Sequence, residues 1–242
     1  MHSKLWEASN DRKSGSDKIQ LYSQSAAIGE KAASHLARAE EQGLISDWGR
    51  GFPKTFDFAR LIQAAADLLP AGGSIETGVF RGGSSGPLIL CASTDSFHVT
   101  IDPFGLGSQH YQIADYRDWG GVRTTLARLA VLAEEQNVTH CHYLTDSLSF
   151  IRADLLQHNA PFRIVHLDGD HSEHVVAEEL SYFRSKIEGP ALFILDDHDD
   201  NFPGVEAGLE VAGDGMVMVL HLFYDWPGCK FPCGFSAWLH AQ

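Results

Sequence analysis

The chain has 242 residues, of which 44% are hydrophobic, and a formal net charge of −14. This length and composition suit one domain with a sizeable core. The acidic balance excludes a nucleic-acid backbone as the main partner, and no apolar run reaches transmembrane length. The start of the chain lacks the apolar centre of a signal peptide. These features predict a cytoplasmic protein that binds neither nucleic acid nor membrane.

Residues 1–54 are predicted to form a helical extension ahead of the main domain, residues 55–242. Roughly the first 16 residues are polar and expected to be loose. From Asp17, apolar residues recur at helical spacing up to Gly43, which suits the position just after a helix. A second helix is predicted over Thr55–Leu69. Both helices precede the first strand, where they can cover a sheet edge, a substrate mouth or a subunit contact.

A glycine-rich turn, ETGVFRGGSS, follows the first predicted strand. Gly78 and Gly82 allow the backbone to turn tightly and to approach a ligand closely. The spacing departs from GxGxxG, which disfavours a nicotinamide dehydrogenase. The second strand, FHVTID, ends at Asp102, about twenty residues after the turn. An acid in that place commonly binds the ribose of an adenosine-type ligand.

Residues 103–120 are rich in glycine, aromatic and polar residues and lack periodicity. Long irregular loops are commonly lids or binding segments, so we expect this loop to contribute to specificity. The N-terminal helices and the 225–234 connection are expected to contribute as well. Asp146 and Ser147 follow the third strand, THCHYLTDS, where they can face an adenine edge. Asp146 can equally cap the next helix.

Two acidic clusters each close an apolar run. The run FRIVHLDGDH ends with Asp168, Asp170 and His171, and ALFILDDHDD contains Asp196 and Asp197. A helical pattern separates them, so the two strands are parallel and end at the same sheet edge. Converging carboxylates repel unless a cation lies between them, and hard oxygen ligands suit Mg²⁺ or a similar divalent ion. Acids at strand ends often only cap helices, but two successive clusters favour a functional site.

The adjacent residues Asp196 and Asp197 carry a geometric condition. Neighbouring side chains of a regular strand point to opposite faces. Both carboxylates can therefore bind one ion only if the strand has already turned at this point.

The order of elements predicts an α/β fold. Five strand–helix alternations are followed by two strands without a full helix between them. We expect a doubly wound, Rossmann-like sheet of seven mostly parallel strands with helices on both faces. The first five strands should be parallel, and the last pair should include an antiparallel strand.

These motifs together resemble the class I methyltransferases that use S-adenosylmethionine. ETGVFRGGSS is similar to the first motif of that superfamily in the variant Glu-x-Gly-x-x-x-Gly-x-Ser, and TID at 100–102 resembles its acidic second-strand end. HLDGDHSEHVV and LDDHDDNFPGV resemble a branch of small-molecule O-methyltransferases that bind a divalent metal and include the macrocin-type sugar methyltransferases. The resemblance covers the chain from about Ile75 to its C-terminus.

The resemblance implies a role for each group of residues. The cofactor would contact Glu76, Gly78, Gly82 and Ser84 with its methionine part, Asp102 with its ribose, and Asp146 and Ser147 with its adenine. The metal would be bound by Asp168, Asp196 and Asp197. In catechol-type relatives a lysine follows the first metal aspartate by three positions, and that residue is His171 here. Sugar-type relatives use an acidic or histidine base nearby, which matches Asp170, so the base is either His171 or Asp170.

The implied function is metal-assisted methyl transfer from S-adenosylmethionine to a hydroxyl of a small molecule, such as a sugar, a polyketide or other natural product, or a phenol. A metal lowers the pKa of the hydroxyl, and the base removes its proton. Two alternatives are a hydroxylase of the cephalosporin-tailoring type on the same fold and a cofactor-binding subunit without catalysis. The sequence does not name the acceptor, and it leaves a homo-oligomer open.

Overall fold

A computed structural model of the protein describes residues 23–45, 53–105, 121–156, 161–224 and 233–241. Its strands are β1 (Gly73–Thr77), β2 (Phe97–Ile101), β3 (Thr139–Tyr143), β4 (Phe162–Leu167), β5 (Ala191–Asp196), β6 (Val217–Tyr224) and β7 (Cys233–His240). Its helices are α1 (Ala26–Glu41), α2 (Pro53–Leu68), α3 (Ser85–Cys91), α4 (Gly121–Gln136), α5 (Ser147–Arg152), α6 (Glu173–Lys186) and α7 (Pro203–Ala212).

The strands form one seven-stranded sheet in the order β3-β2-β1-β4-β5-β7-β6. Strands β1 to β5 are parallel to one another, whereas β7 is antiparallel to both of its neighbours, β5 and β6. The predicted Rossmann-like α/β fold is therefore confirmed. The strand order reverses between β1 and β4, and ligands of open α/β sheets bind beyond the carboxyl ends of the strands at such a switch point.

Alternation along the central strands explains why helices cover both faces. In β4, Val165 is buried in one core with α6 and α7, while Ile164 is buried in another with α2 and α3. Neighbouring side chains of a strand point to opposite faces, and both sets are apolar here. The sheet is thus a buried middle layer, which holds its strand ends in fixed positions.

Helix α1 is part of this packing. It begins after Ser25, whose side chain accepts a hydrogen bond of 3.2 Å from the Ile28 backbone N–H. The predicted helix from Asp17 is therefore interrupted before Ala26, and its first part, up to residue 22, lies outside the described residues. Gly43 has φ +69°, as predicted for a residue just after a helix. Leu36 of α1 is buried in the same apolar cluster as Ile89 of α3.

Two segments predicted to shape specificity fall largely outside the described residues. These are the loop 103–120, described only to residue 105, and the connection 225–234, described only from residue 233. No helix among the described residues is long and apolar enough to cross a bilayer.

Candidate functional site

The carboxyl ends of four adjacent strands form one row of predicted site residues. Strand register pairs Thr77 with Ile101 on one side and with Leu167 on the other, and pairs Leu167 with Leu195. The next residue along each strand is Asp102, Gly78, Asp168 and Asp196 in that spatial order. The sheet itself therefore brings the glycine turn, the predicted ribose acid and the predicted metal acids to one edge.

The chain turns at Asp197, as is required if the carboxylates of Asp196 and Asp197 are to face the same point. Strand β5 ends at Asp196, and Asp197 has φ +49°, a left-handed conformation that turns the chain. Because of that turn, both carboxylates face the same cation, the Nζ atom of Lys54, at 2.6 Å from Asp196 Oδ1 and 3.2 Å from Asp197 Oδ1. The adjacent acids thus converge on one point.

Lys54 was not among the predicted site residues. It is the second residue of α2, and its side chain is only 15% exposed. Burial by itself lowers the pKa of Lys54, but Asp196, Asp197 and Asp168 raise it well above its ordinary value. The sequence gives no local signal for this contact, because 143 positions separate Lys54 from Asp197.

The three carboxylates are not electrostatically equal. Burial and then the charge of Asp196 raise the pKa of Asp168 well above its usual range. The same two causes raise the pKa of Asp197. Burial also acts to raise the pKa of Asp196, but Lys54 offsets this and the net shift is downward. One lysine therefore stabilises the charge of one carboxylate and leaves the cluster short of positive charge.

His171 lies between two of the acids. Its Nε2 is 3.7 Å from Asp168 Oδ1, and its Nδ1 is 3.8 Å from Asp197 Oδ2. Burial lowers the pKa of His171 more than the neighbouring aspartates raise it. Asp170, the other predicted base, is exposed, and its Oδ1 accepts a 2.8 Å hydrogen bond from the Ser172 backbone N–H.

His166 is a second residue that the sequence interpretation missed. It is 1% exposed, its Nδ1 lies 2.9 Å from Glu76 Oε1, and its Nε2 has no hydrogen-bond partner among the described residues. A signal existed, because His166 stands two positions before Asp168 and alternate strand residues share a face.

Two overlapping sets of donors among the described residues fit a divalent cation; Asp168 belongs to both sets, whereas Asp196 and Asp197 belong to different ones. His166, Asp168 and Asp196 offer ligand atoms within 4.8 Å of one another, and so do Asp168, His171 and Asp197. Carboxylate oxygens suit Mg²⁺, whereas mixed carboxylate and imidazole donors also suit Mn²⁺ and other transition metals.

Asp102 holds the glycine turn rather than facing outward. It is 5% exposed, and its Oδ2 accepts hydrogen bonds from the backbone N–H groups of Val79 (2.7 Å) and Phe80 (2.9 Å). Its Oδ1 accepts a third from the Phe104 N–H at 2.5 Å. A ribose would have to share or replace some of these bonds to bind here.

The glycines of the turn are required by neighbouring protein atoms. Gly78 has φ +77°, and a Cβ atom there would lie 1.9 Å from the Asp168 carbonyl oxygen. Gly82 has φ +81°, and a Cβ atom there would lie 2.8 Å from Leu44 Cδ2. The buried carboxylate of Glu76 accepts hydrogen bonds from the hydroxyls of Ser84 and Ser85. These residues therefore shape the turn at the switch point.

Asp146 caps the next helix, which is one of its two predicted roles. Its Oδ1 accepts a 2.8 Å hydrogen bond from the Ser149 backbone N–H at the start of α5. Ser147 is the first residue of α5 and lies beside the carboxyl group of Glu179 on α6. Burial raises the pKa of Glu179 to about 7, and Ser147 and Thr77 offset this only in part.

Solved structures with the same fold cover nearly all of this chain. TomG from Streptomyces achromogenes, an O-methyltransferase of tomaymycin synthesis solved with S-adenosylmethionine, is 18% identical, with 94% of this chain and 97% of that chain covered and a TM-score of 0.55. An O-methyltransferase from Bacillus cereus, solved with S-adenosylhomocysteine, is 16% identical over 90% and 92% of the two chains, with a TM-score of 0.54. This chain therefore shares its fold with these two methyltransferases.

The class I methyltransferase fold does not by itself select the acceptor atom. The N-methyltransferase NodS from Bradyrhizobium japonicum WM9, solved with S-adenosylhomocysteine, also matches, at 10% identity over 88% and 100% of the chains and a TM-score of 0.54. No family model matches this chain, and no curated protein sequence matches it. The function therefore has to be argued from the residues at the sheet edge.

Proposed function

We propose that this protein transfers a methyl group from S-adenosylmethionine to a hydroxyl of a small molecule, with a divalent cation held by Asp168, Asp196 and Asp197. One observation carries the proposal: the glycine turn after β1 lies beside the carboxylate cluster after β4 and β5 at the switch point of the sheet. A cofactor at the turn and an acceptor at the cluster would be neighbours. The solved O-methyltransferases of the same fold support the choice of cofactor.

Each part of the edge has a separate task. The turn between β1 and α3, held by Asp102, receives the cofactor through its backbone. When bound, a divalent ion supplies Lewis acidity, which favours loss of the proton from the acceptor hydroxyl. The remaining contribution is the alignment of oxygen, methyl carbon and sulfur that a rigid sheet edge maintains.

His171 is the better placed of the two candidate bases. It contacts the cluster, whereas Asp170 is exposed and already accepts a hydrogen bond from Ser172. A histidine with a lowered pKa is neutral near neutral pH and can accept a proton from the acceptor hydroxyl. We therefore assign the base to His171.

Calorimetry with S-adenosylmethionine and S-adenosylhomocysteine tests the cofactor. We expect both to bind, and we expect Asp102→Ala to weaken binding by on the order of 1–3 kcal/mol because hydrogen-bonding groups lose their partner. Asp154→Ala removes an acid whose side chain is 64% exposed and should leave binding unchanged. Binding of NADH with no affinity for either methionine derivative would contradict the proposal.

Mass spectrometry of products from a panel of sugars, polyketides and phenols tests the reaction. A methyltransferase adds one methylene to the acceptor mass, whereas a hydroxylase on the same fold would add one oxygen. Asp197→Ala should lower turnover by about a thousandfold, since a metal contributes several kcal/mol to the transition state. Cofactor binding should persist, because the turn and the cluster belong to different strands.

A further inference from the structure

Lys54 occupies the interior of the carboxylate cluster. Its Nζ atom contacts Oδ1 of Asp196 and Oδ1 of Asp197, the two acids that close β5. Neither contact is a loose surface pair, because the side chains of Lys54, Asp196 and Asp197 are 15%, 14% and 26% exposed. The ammonium is a compact positive charge, so it fills a place that a metal ion could also take.

The backbone of Lys54 is held in place, whereas its side chain is long and flexible. Lys54 lies in the first turn of α2, and the following turn is anchored by a 2.8 Å hydrogen bond from the Tyr224 hydroxyl to Asp57. Phe58 packs on His166, with 4.7 Å between ring centroids. The helix start is therefore held against the sheet edge, and the flexible four-carbon stem can move without it.

The ammonium and a divalent ion would use the same carboxylates, because Lys54 contacts Asp196 and Asp197 and each of these acids belongs to a set of donors that could hold an ion. Protein carboxylates bind Mg²⁺-like ions at about 2.0–2.6 Å and in defined directions. An ion bound by both Asp196 and Asp197 would come within contact distance of the present position of Nζ. Two cations at that distance repel strongly in a partly buried site.

We propose that Lys54 is an internal cation that competes with a divalent ion for Asp196 and Asp197, so that metal binding requires the ammonium to leave the cluster. The inference rests on the proposed function, since it assumes that a divalent ion enters this site. In the absence of metal, the lysine stabilises the clustered acids. In its presence, the released ammonium moves toward the open side of the sheet edge.

Titration calorimetry with Mn²⁺ tests the competition directly. Lys54→Met should bind Mn²⁺ at least about tenfold more tightly than the wild type, a change of about 1.4 kcal/mol. Lys186→Met is the matched control, because Lys186 forms a surface pair with Asp154 at 2.6 Å and should leave the affinity unchanged. Equal or weaker Mn²⁺ binding by Lys54→Met would contradict the proposed competition and would leave the proposed function untouched.

Thermal unfolding supplies a readout that needs neither substrate nor turnover. Lys54→Met should be less stable than the wild type in EDTA and should gain more stability from Mn²⁺. If Lys54→Met does not accumulate as folded protein, Lys54→Gln, which keeps a polar tip without charge, carries the same test. Absence of Mn²⁺ binding to the wild type and to either variant would overturn both the competition and the metal part of the proposed function, while binding of S-adenosylmethionine would still stand.

Chemical labelling tests the wild-type protein itself. An amine-reactive acylating reagent should modify Lys54 slowly in EDTA and several-fold faster at saturating Mn²⁺, while Lys186 reacts at one rate in both. Peptide mass spectrometry measures the two sites in the same sample. Continued protection of Lys54 at saturating Mn²⁺ would show that ion and ammonium bind together, which contradicts the proposal.

Discussion

Two parts of the same sheet edge have aspartates at strand ends, and they differ in how the carboxylate charges are compensated. Asp102, after β2, accepts three backbone N–H groups and lies buried with no charged partner in the part of the chain that the structure describes. Asp168, Asp196 and Asp197, after β4 and β5, share the charge of Lys54, which contacts Asp196 and Asp197 directly and acts on Asp168 only through its charge. A carboxylate supplied with enough donors is stable alone, whereas clustered carboxylates need cations.

The difference supports the separate roles proposed for the two parts. The part around Asp102 needs no added cation, because backbone N–H groups of the protein bind its carboxylate, and these hydrogen bonds fix the turn. The acidic cluster is incomplete, because the pKa values of Asp168 and Asp197 are raised in spite of Lys54. A preformed turn suits a ligand bound by the backbone, and an undercompensated cluster suits a metal.

Gly78→Ala should have the largest effect, because this residue is where the two parts touch. Its φ of +77° costs an alanine about 1–2 kcal/mol, and the overlap of a Cβ with the Asp168 carbonyl adds about 1–3 kcal/mol. We expect a loss of up to about 5 kcal/mol in the free energy of unfolding, measured by denaturant titration.

Gly215→Ala is the matched control for that substitution. Gly215 also has φ +77°, but a Cβ there meets no atom within 4 Å among the described residues. It should cost only the backbone strain of about 1–2 kcal/mol. Equal losses for the two variants would show that the contact between the turn and Asp168 does not constrain the edge.

Asp102→Ala should destabilise the protein by about 3–4 kcal/mol, since three backbone N–H groups lose a charged acceptor at once. Asp146→Ala provides the comparison, because this helix cap accepts one backbone N–H and its loss typically costs about 1 kcal/mol. Unfolding curves in urea measure both. A loss of only about 1 kcal/mol for Asp102→Ala would contradict the view that this acid holds the turn.

The common position of the candidate site residues was predictable from the sequence, because sheet geometry translates strand order into position. The alternation of apolar strands and helices along the sequence was enough to predict that Asp102, Gly78 and Asp168 lie at one edge of the sheet. The contact of Lys54 with Asp196 was out of reach, since it depends on how α2 crosses the edge and not on any local pattern. Glu179, in contrast, could have been found from the sequence, because it is a carboxylate on the apolar face of α6.

Glu179→Gln tests an acid with neither enough donors nor a cation. The group is 1% exposed, its Oε1 has no hydrogen-bond partner among the described residues, and burial raises its pKa from 4.5 to about 7. Between these pH values the folded protein keeps a proton that the unfolded chain has lost, so stability falls as the pH rises through that window and levels off above it.

The glutamine variant lacks this penalty. It should exceed the wild type by up to about 3 kcal/mol at pH 8, and the difference should vanish near pH 4. Urea unfolding across that pH range measures the profile. A constant difference between the two proteins at all pH values would mean that the carboxyl group does not titrate in this window.

Asp168→Asn should have the smallest effect on the metal-free protein and should be the most specific test of the comparison. The substitution keeps the shape of the side chain and removes one of three clustered acids. Burial and Asp196 raise the pKa of Asp168, so its charge is unfavourable in the fold, and we expect a gain of about 1 kcal/mol in EDTA. With Mn²⁺ at about a hundred times its dissociation constant, the wild type should gain about 2.7 kcal/mol and overtake the variant. Asp170→Asn, at an exposed acid outside the group of Asp168, Asp196 and Asp197, should change neither value.

If Asp168→Asn were less stable than the wild type in EDTA, Lys54 alone would balance the three acids. The two parts of the edge would then differ in position and not in charge.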